Sequence, residues 1–282
     1  MKGSVCMQYD RETVSGMIYG RRSVRRYADT MDMEELKAAV DAGMRGAESL
    51  PGHTKPTVQV MDGDNAEGIF TGIMGHYGKV IAPAYLVVSA RPEGQFFTQT
   101  GYVVEQLVLW LASEGYGTCW IGIPLNTGEI LARCPLPEKE QYIILVAVGK
   151  PAAGTPLLRD VSGYKRKALE EMVTGEVRPE WEPILKAARI APSASNGQPW
   201  HFVCKSEGID LYCALARGIK KRFYQHLNRI DGGIALSHLC LSAEHAGYDV
   251  TFENNAGASA VLGKNKGEKL TPIMGVRLEK RA

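Results

Sequence analysis

Nowhere does this sequence hold an apolar run long enough to span a bilayer; even residues 103–112 are interrupted by Glu105 and Gln106. A membrane partner is therefore not expected. Residues 1–26 lack the apolar core of a signal peptide and grow more basic where one should stand, which points to a cytoplasmic protein. An excess of one charge is missing too. Lys plus Arg number 33 against 31 for Asp plus Glu, a net charge of +2, so no nucleic-acid partner is expected. The six cysteines, Cys6, Cys119, Cys134, Cys204, Cys213 and Cys240, form no pair at metal-ligand or redox spacing and read as small buried hydrophobes. There is no His-Glu-x-x-His, no Gly-x-Ser-x-Gly elbow, no P-loop and no strand–GxGxxG–helix. Metal hydrolysis, acyl-enzyme chemistry and a Rossmann nicotinamide site are thus without support. His238 and His245 share one helix and are expected to pack or cap rather than bind metal.

What is present is a globular chain, 45% hydrophobic and 23% charged over 282 residues, enough for one large domain or two ordinary ones. The pattern predicts helices over 11–19, 33–44, 66–74, 97–114 and 168–173. Asp32 is a plausible N-cap with Glu35 three residues on, and Gly115 a C-terminal stop. Strands are predicted over 58–61, 84–90, 142–149 and 201–205, those at 84–90 and 142–149 apolar on both faces. Such strands alternating with helices predict a mixed α/β or α+β protein whose sheets are covered by helices.

The chain also appears twice in outline. Leu36-Lys37-Ala38-Ala39 is echoed by Leu185-Lys186-Ala187-Ala188, and the helix from Gly101 that stops at Gly115-Tyr116 is echoed by one from Gly233 that stops at Gly247-Tyr248. Both echoes keep their order. They predict two similar halves, 1–170 and 171–282, related by a pseudo-twofold like a dimer fused into one chain, with a ligand site where the halves meet.

Two segments carry chemistry. Arg21-Arg22-Ser23-Val24-Arg25 offers guanidinium forks and a hydroxyl to a phosphate, although basic runs are more often solvated faces. Pro192-Ser193-Ala194-Ser195-Asn196-Gly197-Gln198-Pro199-Trp200 is a stiff polar loop leaving a helix, with donors and acceptors for a flat polar ligand; it reads equally well as an ordinary helix-to-strand connection.

Together these two segments resemble the signatures of the FMN-dependent nitroreductase family, and specifically its single-chain, tandem-repeat branch. Gly115-Tyr116-Gly117-Thr118-Cys119-Trp120-Ile121-Gly122, Val146-Ala147-Val148-Gly149-Lys150-Pro151 and Lys165-Arg166-Lys167 resemble further family segments in family order. The resemblance implies FMN as cofactor and NAD(P)H as co-substrate. Hydride would pass through flavin N5 to a small-molecule acceptor such as a nitroaromatic or a quinone. It assigns the phosphate to Arg21, Arg22, Ser23, Lys165 and Lys167, and places Arg25 near flavin N1 and O2. Ile121, Gly122 and Ile123 would offer backbone amides, and Pro192, Ser193, Ala194, Ser195, Asn196 and Gln198 would contact the ring. The order departs from the ordinary family, because the first half lacks a Pro-Ser loop at 46–52 and the second lacks an Arg-Arg-Ser motif at 174–178. One flavin per chain and a monomer, with further dimerisation open, are the expectation. A flavin-binding protein with little turnover is the alternative.

Overall fold

The computed structural model describes residues 8–64, 66–70, 79–123, 125–160, 165–218, 221–253 and 270–282, with only the backbone at 221–223. It divides into two compact units. The first comprises Met1–Glu48, Lys55–Gly94 and Gln106–Arg159; the second comprises Ser49–Thr54, Gln95–Glu105 and Asp160–Ala282.

The first unit opens with α1 (Arg11–Gly20), capped by Asp10, whose carboxylate accepts the Thr13 amide at 2.7 Å. α2 (Met33–Gly46) is capped by Asp32, which accepts the amides of Glu34 and Glu35, each at 3.0 Å. The Glu35 carboxylate accepts the Tyr116 hydroxyl at 3.0 Å, so tertiary packing has taken the group that would close a capping box. The sheet is β1 (Thr57–Asp62), β2 (Ala84–Ala90), β4 (Gln141–Gly149) and β3 (Gly117–Ile121) in that spatial order, all antiparallel. Every residue of β2 and the last seven of β4 are buried, which is why both read as unbroken apolar runs. Tyr85, Val87, Leu145, Ala147, Cys119 and Ile121 build one core with Ile69, Phe70 and Ile130; Ile130 comes from the short α4 (Thr127–Arg133). α3 (Phe96–Ser113) contributes its later part to this unit, and Trp110 there donates its indole N–H to the Ala39 carbonyl of α2 at 2.9 Å.

The second unit carries α5 (Glu182–Arg189), α6 (Lys221–His245) and a sheet in the order β5 (Val173–Thr174), β6 (Trp200–Lys205), β7 (Gly208–Ala214), β9 (Leu270–Lys280), β8 (Tyr248–Glu253). Only the β5–β6 pair is parallel. Setting β5 aside, both sheets run first strand, second, fourth, third, and each has a register shift between its second and fourth strands, at Val88/Ser89 and Leu211/Tyr212. Leu36 and Leu185 are both fully buried, as are Ala39 and Ala188. Gly115 and Gly247 both stop their helices in the left-handed region, at φ +80° and +82°, each followed by a buried Tyr. The architecture is a mixed α+β fold with two sheets.

Two local expectations change. The helix expected over 168–173 is a 3-10 turn, Leu169–Glu171, followed by β5, because Val173 and Thr174 gain ladder bonds to Phe202 and Val203 that a two-turn helix cannot match. The helix expected over 66–74 starts as a 3-10 turn at Ala66–Ile69. Residues 71–74 lie outside the described residues, as do Cys6 and Tyr164.

Within the second unit the first turns of α3 cross α6 at glycine. A Cβ on Gly101 would run into the Ile230 carbonyl oxygen, and one on Gly233 into the Thr98 carbonyl oxygen. Nearby, His238 Nδ1 donates to the Ala187 carbonyl at 3.1 Å, and its Nε2 lies 3.0 Å from Glu105 Oε1, with both side chains buried.

Candidate functional site

In the first unit the basic motif leaves α1 at Arg21, whose amide donates to the Met17 carbonyl at 2.9 Å, and then runs beside β3. Ser23 bridges Thr118 in parallel, and the Val24 amide donates to the Thr118 carbonyl at 2.9 Å. Gly117 makes this approach possible, since a Cβ there would strike the Val24 side chain. Tyr27 fixes the far end: its hydroxyl donates to the Val24 carbonyl at 2.6 Å, and the Ala28 amide to the Lys150 carbonyl at 2.9 Å.

Arg21 is 5% exposed, Arg22 and Ser23 are half-buried, and Arg25 is exposed. Burial raises the Cys119 thiol, while the charges of Arg25 and Arg21 and a hydrogen bond with Ser23 pull it down. Ser23 therefore meets Cys119 directly, and the charges of Arg21 and Arg25 act on the same thiol of β3. The Thr118 hydroxyl is buried and has no hydrogen-bond partner among the described residues. Ile121 closes β3 inside the core, Gly122 is exposed, and Ile123 packs against the core edge.

Lys165 and Lys167 fall in the second unit, with the Pro-Ser loop, and the 21–25 motif falls in the first. The segment they flank is tied to that loop. Arg166 donates to Asn196 Oδ1 at 2.7 Å and to the carbonyls of Ile190 and Ala191, each at 3.0 Å, where α5 ends. Asn196 Nδ2 returns a bond to the Lys165 carbonyl at 3.0 Å, and the Lys167 amide donates to Gln198 Oε1 at 2.8 Å. Both Lys side chains remain exposed.

The loop is tightly specified. Ser195, Asn196 and Gln198 adopt φ of +50°, +54° and +49°, a left-handed region that non-glycine residues enter only when surroundings impose it. Hydrogen bonds within and around the loop impose it. The Gln198 amide donates to Ser193 Oγ at 3.0 Å, Gln198 Nε2 to the Asn196 carbonyl at 3.0 Å, and the Ala194 amide to Asp231 Oδ1 of α6 at 3.0 Å. Gln198 is buried and its amide is used at both ends. Pro192, Ser193 and Ala194 are half-buried, and Ser195, Asn196 and Gly197 form the exposed edge.

Arg166 and Asp231 are the residues that sequence reading undervalued. Arg166 lies inside the basic cluster Lys165-Arg166-Lys167. Asp231 carries no local signal beyond sharing a helix face with Asn228, three residues back. Arg166→Ala should cost about 2 kcal/mol by urea denaturation, since it removes charge-assisted bonds to two carbonyls and an amide. Arg166→Lys should recover little of that, because an ammonium cannot span the three acceptors.

No helix among the described residues is long and apolar enough to cross a membrane. Among those residues no group of three or more His, Cys, Asp or Glu is placed to hold a metal ion.

A family model described as "Putative TM nitroreductase" matches residues 13–243. Among solved structures, a "putative nitroreductase" from Thermotoga maritima MSB8 is 19% identical, with 97% of this chain and 99% of that one covered and a TM-score of 0.56. A nitroreductase family protein from Clostridium novyi NT is 25% identical over 49% of this chain and 84% of its own, TM-score 0.40. A nitroreductase with bound FMN from Bacteroides fragilis NCTC 9343 is 23% identical over 51% and 91%, TM-score 0.41.

Proposed function

Because the chain belongs to the nitroreductase family, a family of oxidoreductases, we propose that it is a cytoplasmic FMN-dependent enzyme that oxidises NAD(P)H and reduces a small-molecule acceptor. The observation that carries this reading is the 193–198 loop. Three non-glycine residues are held left-handed there, with an exposed polar edge and two lysines fixed alongside. Strain maintained by this many bonds is the mark of a ligand-shaped element rather than of a simple connection.

The residues fit a flavin mononucleotide. Its phosphate is an anion, and the chain offers Arg21, Arg22, Ser23, Lys165 and Lys167 as donors. Thr118 adds a buried hydroxyl that nothing among the described residues satisfies. Its ring system is flat and polar at one edge, which suits the exposed residues Ser195 and Asn196, the Pro192–Ala194 backbone, and the amides of Ile121, Gly122 and Ile123. The buried Gln198 supports the loop from within. The chemistry that FMN supplies when bound is hydride relay from NAD(P)H to an oxidised acceptor, a nitroaromatic or a quinone. Arg25, exposed and positively charged, favours added negative charge on the ring.

The shared strand order of the two sheets supports a duplicated chain in which 1–170 and 171–282 descend from one unit. Each half keeps the motif that the other lacks, so one flavin per chain follows, in a monomer with neither nucleic acid nor membrane as partner. Flavin released on denaturation should equal the protein, and anaerobic NAD(P)H should bleach it. A yellow protein that NAD(P)H does not bleach would make this a flavin-binding protein with little turnover; a protein that takes up no FMN would overturn the reading.

The two arginines separate binding from tuning. Arg21→Ala should weaken FMN binding about tenfold or more, the loss of a charge-assisted contact, with little change in midpoint potential. Arg25→Ala should lower the potential and slow reduction more than it weakens binding, because charge near the ring acts on one redox state. Potentiometry and fluorescence titration of both variants check this, and equal shifts in potential would reverse the assignment.

A further inference from the structure

Asp231 is 3% exposed in α6, and it accepts the Ala194 amide of the loop at 3.0 Å. Ala194 opens the turn in which Ser195, Asn196 and Gln198 are left-handed, so this carboxyl grips the strained segment at its start. Asn228, on the same helix, hydrogen-bonds Asp231 and also accepts the Ala216 amide at 2.9 Å, which ties the grip to the end of β7. From β7 itself the Cys213 thiol faces the carboxyl, raised first by burial and then by the Asp231 charge, with Arg229 opposing. Nothing in the proposed redox chemistry uses this buried acid.

We propose that Asp231 is a positioning residue for the 193–198 loop: acting only through the Ala194 amide, its carboxyl sets whether the turn is held in the form that presents Ser195 and Asn196. That the loop meets a flavin rests on the function proposed above; the grip itself does not.

The group also makes the grip depend on pH. Burial pushes the Asp231 carboxyl up to about 7, against the hydrogen bonds from Ala194 and Asn228 that pull it down. A carboxylate accepts an amide proton more strongly than a neutral acid does, so the loop is held more firmly above that pH than below it. Global stability moves the other way. The folded state binds this proton more tightly than the unfolded chain, whose group titrates near 3.8, so the contribution of Asp231 falls as pH rises from there to about 7.

The test is amide hydrogen exchange of segment 190–199, read by mass spectrometry on the full chain from roughly pH 6 to pH 8 and corrected for intrinsic exchange. In the wild type, protection should rise across that range. Asp231→Asn keeps an acceptor for Ala194 but cannot titrate, and should be protected with no pH step. Asp231→Ala should show no pH step and should lose about tenfold or more of the protection at the alkaline end, where the missing acceptor is charged, and less at the acid end. FMN affinity should follow the same three patterns. An alanine variant as protected as the wild type, or an asparagine variant that keeps the wild-type pH step, overturns the proposal. If alanine prevents folding, the wild-type and asparagine profiles decide. A wild-type protein that binds no FMN overturns the flavin reading, while the exchange profiles still decide the role of Asp231.

Discussion

Gly233→Ala should destabilise the second unit by about 3 kcal/mol or more, at or beyond the usual cost of overpacking. The added methyl group would meet the Thr98 carbonyl oxygen, and backbone cannot rotate away as a side chain can. Gly101→Ala should do the same against the Ile230 carbonyl. Both act on a single crossing of α3 and α6, so the double variant should cost less than the sum once the helices have been forced apart. Chemical denaturation of the three variants measures this. Gly16→Ala is the control: Gly16 is exposed inside α1 with nothing near its would-be Cβ, and the change should stabilise by about 0.5–1 kcal/mol. A Gly233→Ala protein as stable as the wild type would mean that the helices do not meet at this point.

His238→Leu should cost about 3–5 kcal/mol, because it strips a buried polar partner from Glu105 and from the Ala187 carbonyl together. A carbonyl only accepts, so His238 Nδ1 donates to Ala187, while its Nε2 pairs with Glu105 Oε1 at 3.0 Å. Either group alone would be left buried without the other. Glu105→Leu combined with His238→Leu should therefore be less harmful than His238→Leu by itself, because apolar side chains of similar volume carry no such penalty. Denaturant midpoints across the double-mutant cycle check the sign of the coupling. Additive effects would mean the pair is not coupled.

The match between sequence and structure was uneven for physical reasons. The strand at Ala84–Ala90 was legible to the residue, because a strand buried on both faces needs an unbroken apolar run and Pro83 and Arg91 bound it. The helix stops at Gly115 and Gly247 were legible because only glycine enters the left-handed region there at no cost. The segment at 168–173 was misread because its three-residue turn and two-residue strand are too short for any periodicity to show. β5 exists through its ladder with β6, a partner some thirty residues away. Glu35 was legible as a capping residue by spacing but serves Tyr116, which lies 81 positions further along the chain.

Sequence pattern alone is enough for the family and the α+β class. It also fixed the repeated order of helices and strands, and it located the two motifs, 21–25 and 192–200, that carry the proposed chemistry. Those properties lie in local pattern: hydrophobic period, stop residues and short runs of donors at fixed spacing. What holds those motifs is a matter of tertiary packing. It set the 21–25 segment beside β3 through the bare flank of Gly117, fixed Lys165 and Lys167 alongside the Pro-Ser loop through Arg166, and brought Asp231 under Ala194. Such bonds join residues tens of positions apart. Which distant carbonyl or amide a buried charge finds depends on how the whole unit packs, and no window of sequence contains it.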